Sequence, residues 1–126
     1  MNSLLLVMLG GALGSGARHL TGRATLAAFG PDFPAGTLSV NIVGGLLMGL
    51  LAGVLSRSGG NEPWRLLLGV GVLGGFTTFS SFSLDVVTLV ERGQPGVALG
   101  YLLLSVVGSI AALVAGLAVA RIGAAA

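Results

Sequence analysis

The chain has 126 residues, of which 54% are hydrophobic and 8% charged, against roughly 25% charged in a typical soluble domain. Its ten formal charges are six Arg, two Asp and two Glu, with no Lys. So few charges cannot cover a soluble surface, so composition excludes an ordinary soluble fold and points to an integral membrane protein. The arginines are scattered, and without a basic run nucleic-acid binding has no footprint. With no Cys and a single His, disulfides, thiolate nucleophiles and Cys- or His-rich metal centres are also excluded.

A transmembrane helix needs about 20 mostly apolar residues. At the N-terminus, Leu4 to Ala17 is apolar for fourteen residues before Arg18, His19 and Arg23 intrude. That is short for a span, which puts Arg18 and His19 near one membrane face or beside something polar. A signal peptide competes, since Gly14-Ser15-Gly16-Ala17 resembles a small-residue cleavage site. The segment Met1-Asn2-Ser3 lacks the basic residues a signal peptide needs, which favours a first span.

Gly36 to Leu55, Leu66 to Leu84 and Gly96 to Ala120 are uncharged and long enough to cross. The connections are short and rich in Gly and Pro, with Asn61 as an expected N-cap and Trp64 as an expected interfacial anchor. The expectation is an all-α integral membrane protein with one transmembrane domain over residues 1–126. Its spans fall at about 3–27, 36–56, 64–90 and 96–121, since uncharged segments of this length must be helical in lipid. Arginines divide evenly between the two sides: Arg57, Arg65 and Arg121 against Arg18, Arg23 and Arg92. The positive-inside rule therefore selects no orientation. Either something outside this count sets the topology, or the chain inserts both ways and forms an antiparallel dual-topology homodimer.

Twenty-three glycines in a helical membrane protein call for an explanation. Gly45, Gly49 and Gly53 form a doubled GxxxG face in the second span. Asn41 lies one turn earlier on that face, either as interhelical glue or lining a pathway, because a buried carboxamide must be satisfied. In the fourth span, Tyr101, Ser105 and Ser109 recur at i, i+4, i+8, continued by Gly108, Ala112 and Gly116. Membrane serines commonly bond back to their own backbone, but three polar residues in register also make a track.

Residues 74–83, Gly-Gly-Phe-Thr-Thr-Phe-Ser-Ser-Phe-Ser, occupy the middle of the third span. Glycines, threonines and serines are poor helix material, which predicts a break near its centre. Irregular backbone at this depth must be buried in protein or line a cavity, where freed carbonyls can coordinate cations. Phe76, Phe79 and Phe82 recur every third residue. Plain packing explains them, and so does a weak anion path that uses the positive ring edges with no buried cation.

Gly36-Thr37-Leu38-Ser39-Val40-Asn41 followed by Gly44, together with the 74–83 run, resembles the fluoride channels of the Fluc (CrcB) family. Gly11-Ala12-Leu13-Gly14 with Arg18 is similar to that family's first-helix motif, and Tyr101, Ser105 and Ser109 to its fourth-helix polar face. The resemblance covers the whole chain. It implies passive, selective fluoride export by an antiparallel homodimer in the bacterial cytoplasmic (inner) membrane. The implied pore residues are Asn41, Phe79, Ser80, Phe82, Tyr101, Ser105 and Ser109, with Arg18 in the vestibule. The carbonyls of Gly74 and Thr77 are the implied ligands of a structural Na+ at the dimer interface. His19 and Asp85 stand where the family usually has an aromatic residue and a Glu.

Three other readings compete with this one. A small proton-coupled multidrug exporter needs a membrane-embedded carboxylate, and only Asp85, at the end of the third span, is a candidate. A non-transporting assembly subunit would use the glycines for packing alone. An enzyme is rejected, because no acid–base or nucleophile constellation can be assembled.

Overall fold

The computed structural model describes residues 2–59 and 61–125. Four helical passages are long and apolar enough to cross a membrane: Ser3–Phe29, Ala35–Arg57, Glu62–Glu91 and Pro95–Gly123. The first, α1 (Ser3–Phe29), starts where the Asn2 side chain accepts from the Leu4 N–H at 2.7 Å. It runs straight through Arg18, His19 and Arg23, and ends at Gly30, whose φ of 78° favours glycine. The second, α2 (Ala35–Arg57), is followed by Gly59 at φ 75°.

The third passage is composite. It opens with the short turn α3 (Glu62–Trp64), where Asn61 takes the N-cap position but makes no side-chain capping bond. Glu62 instead pairs with Arg65, whose Nε donates to Oε2 at 2.9 Å. A nine-residue π-helical stretch follows, Arg65–Leu73, and then α4 (Gly74–Phe76). Such wide turns are rare and usually brief; beyond α4 comes an interruption at 77–79. Helix resumes as α5 (Ser80–Glu91), turns at Gly93, and returns as α6 (Pro95–Ala125).

Glycine sets the packing. Gly45, Gly49 and Gly53 lie against Ser109, Leu113, Leu117 and Ala120 of α6, and Gly116 of α6 fits against Leu46, Gly49 and Leu50 of α2. On the other side, Gly10 and Gly14 of α1 press on the backbone of Leu67, Gly71 and Val72, and Gly75 presses on Gly11. Lipid offers no hydrophobic drive for helix association, so backbone-to-backbone contact of this kind must hold the helices together. Leu13, Leu99, Val107 and Ile122 point outward. An aromatic and aliphatic cluster is buried: Phe82, Leu89, Ala98 and Tyr101.

A methyl group at Gly49 would overlap the Leu113 carbonyl oxygen, whereas one at Gly16 meets nothing within 4 Å. Gly49→Ala should therefore lower stability by about 1–3 kcal/mol, and Gly16→Ala should stay within about 1 kcal/mol of the parent. Unfolding titrations in mixed detergent micelles measure the difference.

Candidate functional site: the interrupted third span

At the interruption the chain stops being helical and its backbone needs new partners. The Leu73 carbonyl accepts both the Thr77 N–H at 3.0 Å and the Thr77 hydroxyl at 2.9 Å, which closes the last turn. Thr77 is then extended (φ −84°, ψ 159°). The next residue, Thr78, pairs with the side chain of Asn41 as if with a neighbouring strand. Asn41 Nδ2 donates to the Thr78 carbonyl at 2.9 Å, and the Thr78 N–H donates to Asn41 Oδ1 at 2.8 Å. The Thr78 hydroxyl accepts from the Ser81 N–H at 3.2 Å and so caps the start of α5. One turn earlier, Arg18 Nε donates to the Gly75 carbonyl at 3.1 Å.

Asn41 therefore meets the interruption rather than α6, although it precedes the glycine face that packs there. It is glue, and its amide is not used up. A carboxamide has two N–H donors, and only one goes to Thr78. Asn41 also lines a cleft of about 380 Å³ beside Phe79, Phe82, Ser105 and Ser109, with Thr77 and Thr78 at the break and Met48 and Leu113 beyond. No charged residue lines it.

The two phenylalanines differ. Phe79 is 78% exposed, while Phe82 is 7% exposed, with ring centroids 5.7 Å apart and planes 58° apart. Thr21, Thr25, Thr77 and Ser83 each donate to a carbonyl one turn back. Ser105 does not: its hydroxyl is buried without a hydrogen-bond partner among the described residues, at a residue exposure of 4%. Asn41, Ser105, Ser109 and the Phe79 and Phe82 rings thus give the cleft an uncharged lining.

The other expected residues fall outside this cleft. Tyr101 is 1% exposed and packs on Phe82 at 5.4 Å, with its hydroxyl donating to Asp85 Oδ2 at 3.0 Å. Ser80 is exposed, its hydroxyl 3.5 Å from that of Thr78. Arg18 lines a neighbouring cleft of about 310 Å³ with His19, Arg23, Thr37 and Ser81, and Thr78 borders both clefts. The Gly74 and Thr77 carbonyls accept no hydrogen bond among the described residues. No cluster of three His, Cys, Asp or Glu exists among the described residues. Thr78 was not singled out from the sequence; nothing in the Asn41–Thr78 separation marks the pair.

Asn41→Leu removes both partners of Thr78, and each stranded backbone group costs about 1–3 kcal/mol. The expected loss is about 2–6 kcal/mol in total, and Asn41→Asp, which keeps the acceptor, should lose about half of it. Reversible unfolding in bicelles checks the ranking.

The family described as CrcB-like protein, Camphor Resistance (CrcB), matches residues 5–117. A protein of Sphingopyxis alaskensis named "Fluoride-specific ion channel FluC" is 62% identical over 122 residues, 96% of this chain and 97% of that one. Proteins of the same name from Mesorhizobium japonicum (52% over 121 residues; 96% and 98% covered) and Caulobacter vibrioides (54% over 123; 96% and 97%) are similar throughout. The match spans all four passages, the interruption and both bordering clefts, and the chain belongs to the CrcB family.

Proposed function

We propose that this chain is a passive, selective fluoride channel that exports fluoride from the cytoplasm across the bacterial inner membrane and so relieves fluoride toxicity. The observation that carries the reading is the cleft at the interruption, lined by Asn41 with its spare N–H, Ser105, Ser109 and the Phe79 and Phe82 rings, with no charged residue. Fluoride shedding water there exchanges it for Asn41, Ser105, Ser109 and ring edges. Weak, serial, uncharged sites let an ion leave as readily as it enters. The names of the similar bacterial proteins support the same ion. Ser80 extends this track, Tyr101 backs it from behind Phe82, and Arg18 draws anions to the vestibule beside it. A proton-coupled exporter is not favoured, because no carboxylate lines the cleft.

The functional unit is an antiparallel dual-topology homodimer. Its support is the even division of arginines between the two faces and the outward position of Phe79 on a face that a second subunit would cover. The Gly74 and Thr77 carbonyls would hold a structural Na+ between two subunits, should one bind there. The ion would supply positive charge that joins the two interrupted helices.

Liposomes loaded with potassium fluoride or potassium chloride, with a potassium ionophore present, test the reading. Fast fluoride release with negligible chloride release is expected; release of neither ion from folded protein rejects it. Phe79→Ile and Phe82→Ile keep bulk and remove the ring quadrupole, and each should slow fluoride release about tenfold or more. In sodium-free buffer the dimer should dissociate at lower detergent concentration, as read by size-exclusion chromatography; an unchanged dimer rejects the Na+ site.

A further inference from the structure

The cleft's inner phenylalanine belongs to a longer row of rings. Phe79 packs on Phe82 at 5.7 Å, Phe82 on Tyr101 at 5.4 Å, and Tyr101 on Phe33 at 5.5 Å. The last contact is edge-to-face, with planes 87° apart, the arrangement an aromatic quadrupole prefers. Phe33 does not line the cleft. It sits in the connection between α1 and α2, half-buried against the buried cluster.

That connection has little freedom. Gly30 turns at φ 78°, and Pro31 and Pro34 lock their own φ. Across Pro34 (φ −77°, ψ 64°) the Phe33 carbonyl accepts from the Ala35 N–H at 2.8 Å, which is an inverse γ-turn. The Phe33 ring is thus held by a braced loop. Tyr101 is held between that ring, the Phe82 ring and the Asp85 carboxylate.

We propose that Phe33 is a positioning residue for the pore. It is the end stop of the row, fixing Tyr101 and, through it, the angle at which Phe82 presents its edge to the ion. This rests on the channel reading. A connecting loop at the membrane face thereby sets the geometry of an anion site it never touches.

Tyr101 is the chain's one tyrosine and Trp64 its one tryptophan, so each reports separately in ultraviolet resonance Raman and fluorescence. Phe33→Leu should slow fluoride release from liposomes about fivefold, the factor one aromatic pair is worth, and shift the Tyr101 Raman bands while Trp64 emission holds. Phe33→Tyr keeps the ring and should release fluoride within about twofold of the parent. Parental flux or unshifted Tyr101 bands in folded Phe33→Leu overturn the proposal. So does a loss in Phe33→Tyr as large as that in Phe33→Leu, a comparison that stands even if the leucine variant folds poorly. A parental protein that releases no fluoride rejects the channel reading itself, whereas parental release that Phe33→Leu leaves unchanged rejects only the role of Phe33.

Discussion

Hydrocarbon cannot hydrogen-bond a peptide group, so a membrane helix that stops midway must find every partner within the protein. The rest of this structure depends on how residues 77–79 meet that demand. A side-chain amide imitates a neighbouring strand at Thr78, a guanidinium takes the Gly75 carbonyl, and hydroxyls close the two helix ends. The carbonyls of Gly74 and Thr77 are left over. The same groups that satisfy the interruption also border the clefts, so support and candidate site are built from one set of residues.

This economy explains why the walls are uncharged. Asn offers a donor and an acceptor on one planar group, so it serves both sides of a peptide and retains an N–H. A cationic residue in the same place would hold a small anion too firmly for passage, and an anionic one would repel it. The glycine seams then matter for the site as well as for cohesion. Gly44 lies against the Thr77 methyl group, so α2 comes close enough to the interruption for a side chain as short as asparagine to reach the backbone.

The four passages were legible because lipid imposes long uncharged runs, and the Gly45, Gly49, Gly53 stripe announced a close contact. The helix it would contact was not announced, since a small-residue face carries no partner code; α6 answers it with Gly116. The bend at 77–79 agrees loosely with the break expected from the run Gly74 to Ser83, and the Asn41–Thr78 bond found there is one that no spacing reveals. The π-helical stretch from Arg65 to Leu73 left no mark, because its leucines, valines and glycines suit an ordinary helix equally well. Of the expected pore set, Asn41, Phe79, Phe82, Ser105 and Ser109 share one cleft. Tyr101 lies behind it, because burial and the Asp85 contact decide its place, and those are tertiary facts.

The direction of the braces has a consequence for how the protein is made. Both side chains that hydrogen-bond the interrupted backbone from other helices, Arg18 and Asn41, belong to earlier passages, and α6 supplies none among the described residues. A ribosome delivers the chain from its N-terminus, so both are already in the membrane when the unsatisfied peptide groups of the third passage arrive. The non-helical turn can be stabilised as it leaves the translocon, before the fourth passage exists. An order of synthesis that reversed the helices would leave bare backbone waiting in lipid.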